Sequence, residues 1–220
     1  MTLKRLACAL AVAAALCAGA PARADTVLLH DTFDTENGGV GRAEYSGFAH
    51  WSAANIDLLA PGYFFGLCQS AGNDTPCLDM EGSGNGSITT LAAYDLAPGF
   101  ATVQFDLAGD QCGRTGNSVV AMLKSTGGVV LWSETFALAS DADFSTFTRS
   151  VAIGSATAAH LSFASAGPSD SMGMLLDNVT LSSGGVVTAP VPEPGTWAML
   201  LGGFALTAAH LRRRRGASAA

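Results

Sequence analysis

Short β-type segments, separated by turn residues, fill the chain between Asp25 and Ser183. Runs rich in Val, Phe, Leu and Thr alternate with clusters of Gly, Asn, Ser and Asp, and no convincing amphipathic helix pattern interrupts them. The segment TVQFDL at 102–107 alternates polar and apolar side chains, so one face lies in a core and the other in water. About ten such segments predict an all-β fold of two packed antiparallel sheets, a β-sandwich or jelly roll.

The positions of these segments give the expected strands. Turn dipeptides such as Asn37-Gly38 and Gly127-Gly128 separate them, as hairpin connections require. The predicted strands are 26–33, 47–59, 77–81, 86–94, 100–109, 117–125, 128–136, 144–153, 158–165 and 172–182.

The first 24 residues have the pattern of a secretory signal peptide. Two basic residues precede an apolar run over 6–20, and a small-x-small site follows at 22–24. We therefore expect an N-terminal signal helix within 1–24 and a mature chain that starts at Asp25. An alternative, lipidation at Cys17, lacks the small residue that a lipobox has before its cysteine.

The predicted mature domain is strongly acidic. Residues 25–189 hold 17 Asp and Glu against 4 Lys and Arg, a net charge of −13, whereas the whole chain carries −7. Such a field repels nucleic acid and anionic membrane surfaces. Cations and neutral ligands such as sugars remain compatible partners.

Three cysteines remain once the predicted signal peptide is removed. Cys68 and Cys77 close a short polar loop, CQSAGNDTPC, as a disulfide across a hairpin would. Such a bridge suits an oxidising compartment outside the cytoplasm. Cys112 is then left as a free thiol, since no His ligands lie at the spacing that a metal site on these cysteines would need.

Four spaced segments between Ile56 and Ser183 carry further motifs: IDLLAPG, CLDMEGSGNGSITT, YDLAPGFATVQFDLAGDQ and LSFASAGPSDSMGMLLDNVTLSS. This succession resembles the galactose-binding-like β-sandwich domains of secreted wall and matrix proteins. The resemblance implies a sandwich ectodomain over 25–183 with a carbohydrate-binding role.

Asp31, Asp34 and Asp177 are the candidate cation ligands. In sandwiches of this kind the first and last strands often lie side by side and share a structural calcium, which binds several carboxylate and carbonyl oxygens. In the alternative interpretation Asp31 and Asp34 are turn residues that bond their own backbone, and Asp177 caps a strand. No other cofactor is expected.

A sugar platform needs exposed aromatic rings beside polar groups. Tyr63 and Phe64 of the segment PGYFFGLC, together with Trp132, are the candidate ligand-binding residues. Because side chains alternate in an extended segment, at least one ring of 63–65 is expected to point outward. The alternative is that these aromatic residues fill the core or its rim.

No motif of the chain supports an enzyme. The patterns G-x-S-x-G, H-E-x-x-H and G-x-x-x-x-G-K are all missing from the sequence. Acid pairs such as Asp106 with Asp110, or Asp141 with Asp143, leave a glycan-processing enzyme as an alternative.

The C-terminal tail follows a Gly/Pro-rich linker at 184–190. The segment 191–215, VPEPGTWAMLLGGFALTAAHLRRRR, contains an uncharged run over 196–211 before four arginines. That run predicts a single transmembrane helix of ~24 Å at ~1.5 Å per residue. The arginines place its C-terminal end in the cytoplasm. These features alone leave an ordinary single-span anchor as an alternative.

The order of motifs in the tail is more specific. A proline-acid-proline triplet, then the span, then terminal arginines resembles the PEP-CTERM sorting signal of Gram-negative bacteria, carried here by Pro192, Glu193, Pro194, Arg212, Arg213, Arg214 and Arg215. The resemblance implies cleavage near the triplet by an exosortase, an integral-membrane protease. It also implies an inner-membrane-tethered intermediate and a final place at the cell surface or in an exopolysaccharide matrix or biofilm.

Three functions follow from these observations. The leading one is an exported, exosortase-processed surface or extracellular-matrix protein that binds carbohydrate or exopolysaccharide and is not an enzyme. The second is a structural or adhesive surface module without a small ligand, and the third is a glycan-processing enzyme.

Overall fold

Two six-stranded antiparallel sheets make up residues 24–185, the part of the chain that the computed structural model describes. No helix within these residues is long and apolar enough to cross a membrane. The predicted signal helix and the predicted transmembrane helix at 196–211 lie outside the described residues.

Each sheet draws strands from both halves of the domain. The strands of sheet I are β1 (Ala24–Asp31), β3 (Asp57–Leu59), β4 (Cys77–Asp79), β7 (Gly99–Ala108), β10 (Ser145–Ile153) and β12 (Leu175–Gly185). The strands of sheet II are β2 (Trp51–Ala54), β5 (Ser87–Thr90), β6 (Tyr94–Leu96), β8 (Val119–Ser125), β9 (Val130–Phe136) and β11 (Thr157–Ser165). The helical elements are a short helix α1 (Leu67–Ser70) and 3-10 turns at Glu36–Gly39 and Phe64–Gly66.

The strand order brings the ends of the domain together. Sheet I runs β10-β7-β12-β4-β3, and β1 also pairs with β12; sheet II runs β2-β5-β11-β8-β9, and β6 also pairs with β11. Ala24 of β1 lies opposite Gly185 of β12. The expected adjacency of first and last strands is therefore present.

Every predicted strand overlaps an observed one; 86–94 covers β5 and the first residue of β6, and one predicted strand is divided between the two sheets. The segment 47–59 forms two strands in different sheets, because Asn55 between β2 and β3 adopts a φ of 52°. A positive φ ends the extended conformation of the chain, so the backbone leaves sheet II at β2 and enters sheet I at β3.

The core lies between the sheets, where the inward-facing side chains of the two sheets meet. Phe105 of β7 packs edge-to-face on Phe136 of β9 and Phe163 of β11, with ring centroids 5.1 and 5.0 Å apart. Both Phe105 and Phe163 are fully buried. Because sheet I supplies the first ring and sheet II the other two, these contacts join the sheets into a sandwich.

A second, smaller hydrophobic cluster covers part of the outer face of sheet I, the side away from the core. The connection between β3 and β4 folds over this face, and α1 packs there on the strands. The buried members are Leu59, Leu67, Cys68, Ala71, Cys77, Ala108 and Leu175. The outer face of sheet I is therefore partly closed.

Candidate functional site

The outer face of sheet II carries an open groove with a volume of about 590 Å³. Strands β5, β11 and β8 form its floor, and the turn after β8 forms one wall. Seven of the nine lining residues have polar side chains, and the other two are a methionine and a glycine: Thr89, Thr90, Met122, Lys124, Ser125, Thr126, Gly128, His160 and Ser162.

Strand register explains why these residues meet. Ser162 of β11 lies opposite both Thr89 of β5 and Met122 of β8, and His160 lies opposite Lys124. Side chains that are directly opposite on one face have Cβ atoms ~5 Å apart. Residues that are distant in the sequence therefore form one continuous polar surface.

His160 is fixed by a neighbouring strand. Its Nδ1–H donates to the carbonyl oxygen of Thr90 at 2.8 Å, and a carbonyl can only accept, so the proton of the neutral ring lies on Nδ1. Nε2 of His160 has no hydrogen-bond partner within residues 24–185. Nε2 of the neutral ring is therefore free to accept a hydrogen bond from a ligand.

Lys124 is unpaired in the part of the chain that the structure describes. Arg149 instead forms a two-pronged ion pair with Glu134, with a shortest N–O distance of 2.6 Å. Arg114 lies 3.8 Å from a carboxylate oxygen of Asp170. The ammonium group of Lys124 is thus available to an incoming ligand.

Sequence reasoning missed this groove, because its members stand on three strands with no shared motif. Lys124 and His160 are 36 positions apart in the sequence, and only the pairing of β8 with β11 makes them neighbours. Alternation along each strand could have placed both on an outer face, but not beside each other.

The aromatic segment 63–65 forms a tight turn and not an extended segment, yet one of its rings, that of Phe65, points outward as expected. Phe64 and Phe65 adopt φ values of 46° and 61°, which bulky side chains rarely do. The Tyr63 hydroxyl accepts a hydrogen bond from the Ala43 backbone N–H at 3.1 Å. Phe65 is 88% exposed and Phe64 36%. The turn presents two phenyl rings and holds Tyr63 against the protein.

Trp132 lies in a different environment from Tyr63. It stands opposite inward-facing Leu123 and packs, partly buried, against the core, 6.5 Å from the Phe136 ring centroid. Tyr63 packs instead against the second cluster, on sheet I. The structure therefore does not unite Tyr63, Phe64 and Trp132 in one platform, and their ligand-binding role stays a prediction.

Asp31 is committed to internal hydrogen bonds. One carboxylate oxygen accepts the indole N–H of buried Trp51 at 2.8 Å, and the other accepts the backbone N–H of Phe33 at 2.9 Å. The backbone contact is the turn bond that the alternative interpretation expects. The indole contact satisfies a buried donor that would otherwise be costly.

Asp177 lies among other acids on the outer face of sheet I. It stands directly opposite Asp106, and it accepts hydrogen bonds from Asn73 Nδ2 at 2.6 Å and from the Asn178 backbone at 2.7 Å. Burial above all raises the pKa of Asp177 to about 7, and the charges of Asp34 and Asp106 add to this effect.

Asp34 and Asp177 are thus close enough to influence each other, and Asp31 is directed elsewhere. No group of three or more His, Cys, Asp or Glu side chains within residues 24–185 is placed to hold a metal ion. The calcium site at Asp31, Asp34 and Asp177 remains a prediction.

The cysteines are arranged as the sequence suggested. Cys68 and Cys77 form a disulfide that fastens α1 to β4, and Cys112 is an exposed free thiol. Partial burial and the charge of nearby Asp110 raise the pKa of the Cys112 thiol, so less of the reactive thiolate forms at neutral pH.

Two of the four acids in the enzyme hypothesis, Asp106 and Asp110, accept hydrogen bonds from other residues of the domain. Asp110 is 2% exposed. It accepts hydrogen bonds from the backbone N–H groups of Cys112 and Arg114 and from the side chains of Ser140 and Asn117. Asp106 accepts from Thr146 and Asn178. Asp141 and Asp143 are exposed in the loop between β9 and β10.

The described domain is thus an antiparallel β-sandwich with an open polar groove. Residues 190–215 match the PEP-CTERM protein-sorting motif, which confirms the predicted sorting signal. The motif indicates an exported protein; its residues lie outside the described part of the chain. No curated protein matches the sequence.

Several solved domains are similar to the sandwich. The K3 cleaved adhesin domain of Lys-gingipain from Porphyromonas gingivalis w83 is 17% identical, with 72% of this chain and 99% of that chain covered and a TM-score of 0.44. The CBM22-1 xylan-binding domain of Paenibacillus barcinonensis Xyn10C is 14% identical, with 76% and 99% covered and a TM-score of 0.42. TmCBM61, solved with β-1,4-galactotriose, is 11% identical, with 69% and 93% covered and a TM-score of 0.45. At these identities and TM-scores the similarities say nothing about the ligand of this chain.

Proposed function

We propose that this chain is an exported surface or extracellular-matrix protein whose sandwich binds carbohydrate, such as exopolysaccharide, in the sheet II groove. The groove carries the proposal, because it combines size, openness and a dense set of hydrogen-bonding groups. Its volume of about 590 Å³ lies in the range of ligand sites, ~300–1,000 Å³. The protein acts by binding and not by catalysis.

The chemistry of the groove matches the surface of a sugar. Hydroxyl groups of Thr89, Ser125, Thr126 and Ser162 both donate and accept hydrogen bonds, as the hydroxyls of a sugar do. Met122 supplies an apolar contact between them. An open groove along a sheet also admits a polymer, whereas a closed pocket admits only its end.

Binding of the full-length protein to a panel of immobilised polysaccharides tests this function. Thr89→Val removes a groove hydroxyl and keeps the β-branched shape, so we expect it to weaken binding severalfold. Thr148→Val makes the same change at an exposed threonine on the outer face of sheet I and should leave binding unchanged. If Tyr63→Ala or Trp132→Ala abolishes binding while Thr89→Val is silent, the site belongs to the aromatic residues instead.

Sorting by an exosortase is the second part of the proposal. The PEP-CTERM match supports it, and the two prolines of the triplet favour an extended segment that a protease can bind. We expect Glu193→Ala to leave a larger, inner-membrane-tethered precursor, seen by blotting membrane and extracellular fractions. Thr188→Ala, outside the motif, should mature normally. Normal maturation of the Glu193 variant would show that the tail is an ordinary anchor.

Exposure at the aromatic turn favours a second candidate function, adhesion without a small ligand. Phe65 is 88% exposed on a turn next to the disulfide-fastened helix. A rigid apolar tip can contribute to a protein contact at little entropic cost. Phe65→Ser should then reduce cell attachment, whereas Val129→Ser, at a 62% exposed apolar residue elsewhere, should not. Equal effects of both variants would remove this candidate.

A further inference from the structure

The groove on sheet II differs in charge from the domain around it. Residues 25–189 carry a net charge of −13, yet no carboxylate lines the groove, and Lys124 and His160 do. Within residues 24–185, Lys124 forms no ion pair, whereas Arg114 and Arg149 do. A cation without a partner beside a row of hydroxyls is suited to an anion that also carries hydroxyl groups.

No acid within residues 24–185 forms an ion pair with this cation. Asp95 of β6 lies opposite Ala158, two positions along β11 from His160, and it does not line the groove. Glu134 stands opposite inward-facing Ala121 and is held by Arg149. The acids of sheet I lie on the opposite face of the sandwich, and charges further apart than ~8 Å are largely screened at physiological ionic strength.

The lining also lacks the usual means of holding a neutral sugar. No Phe, Tyr or Trp side chain lines the groove, so stacking of a sugar on a large apolar ring cannot supply the binding energy. A charge-assisted hydrogen bond is roughly twice as strong as a neutral one. The strongest single contact that the described groove can offer is therefore one from Lys124 to an anionic group.

We propose that the groove selects carboxylate-bearing glycans, that is, polysaccharides of uronic acids. Lys124 binds the carboxylate, and Nε2 of His160 and the hydroxyls of Thr89 and Ser162 bind the ring hydroxyls. The cross-strand pairs Lys124–His160 and Thr89–Ser162 place these groups on one surface. The inference rests on the proposed carbohydrate-binding function and names its ligand class.

Matched acid and ester polymers test this selectivity. Affinity of the full-length protein is measured for polygalacturonate and alginate, and for their esterified forms, in which the carboxylate charge is removed and the sugar backbone kept. We expect the acid forms to bind at least tenfold more tightly than the esters. Lys124→Met should abolish that difference, and Lys124→Arg should keep most of it.

The control variant is Arg42→Met, which makes the same change in net charge outside the groove and should preserve the selectivity; thermal unfolding verifies that each variant is folded. Equal binding of acids and esters, both weakened by Thr89→Val, would overturn the inference and leave the proposed function standing. Selectivity that persists in Lys124→Met would overturn it too. Failure of every polymer to bind would count against both.

Discussion

The outer faces of the two sheets both arise because side chains alternate along each strand. They differ, however, in charge and in accessibility. That of sheet I carries acids, including the opposed pair Asp106 and Asp177, and the β3–β4 connection covers part of it. That of sheet II is open and carries hydroxyls, Lys124 and His160. Alternation makes a face polar, but the connections between strands decide whether it is accessible.

Both outer faces depend on the same core between the sheets. A core variant should therefore destabilise both faces together. Phe105→Ala deletes the ring that touches both sheets, and truncation of a buried Phe costs ~3–5 kcal/mol of unfolding free energy. Urea unfolding measures this loss. Phe65→Ala, at a residue 88% exposed, is the matched control and should cost little; equal losses would contradict the assignment of Phe105 to the shared core.

The unfolding free energy should depend on pH because of Asp177, on the outer face of sheet I. The pKa of Asp177 is raised to about 7 in the folded state, against ~3.9 in an unfolded chain. The folded state then binds more protons between these values, so the contribution of Asp177 to the unfolding free energy is fully present below pH ~4 and is lost as pH rises to about 7. The whole change from Asp177 is roughly 4 kcal/mol at ~1.4 kcal/mol per pKa unit.

Urea unfolding in calcium-free buffer at several pH values checks this dependence. Asp177→Asn should flatten the fall without removing it, because burial also raises the pKa of Asp57 and Asp79. Exposed Asp141→Asn serves as the control. An unchanged pH profile in Asp177→Asn would mean that its carboxyl is not desolvated.

The disulfide should stabilise the covered face and leave the open one unaffected. Replacing Cys68 and Cys77 by serine removes a cross-link across a nine-residue separation. The unfolded chain then gains conformational entropy, which should lower the unfolding free energy by ~2–3 kcal/mol. Thermal unfolding measures the loss, with Cys112→Ser as the control. Ligand binding in the sheet II groove should survive below the new midpoint; its loss would show that the two faces are coupled.

Calcium, if it binds at Asp31, Asp34 and Asp177 as the sequence predicts, should stabilise the fold through Asp177 on the same covered face. A ligand at ten times its dissociation constant adds about 1.4 kcal/mol to the unfolding free energy. Calorimetry with calcium and with chelator measures this, and Asp177→Asn should remove the response while Thr89→Val keeps it. Identical midpoints with calcium and chelator would eliminate the site.

The sequence predicted what depends on local pattern. The alternation at 102–107 correctly placed Phe105 in the core, and the spacing of Cys68 and Cys77 correctly suggested their bond. The division at Asn55 and the tight turn at 63–65 depend on positive φ values at residues other than glycine, which composition does not reveal. The groove depends on the register of β5, β11 and β8, a long-range property that no single segment encodes.

The position of β12 has a mechanical consequence. The described domain ends at Gly185, and β12 is an internal strand, bonded to β7 along one side and to β4 and β1 along the other. A pull on the C-terminal end of the domain therefore loads two hydrogen-bond ladders in shear at once. Because β1 runs antiparallel to β12 and Ala24 lies opposite Gly185, the first strand helps to resist extraction of the last. A protein that holds a matrix polymer from a C-terminal attachment would bear tension along this strand.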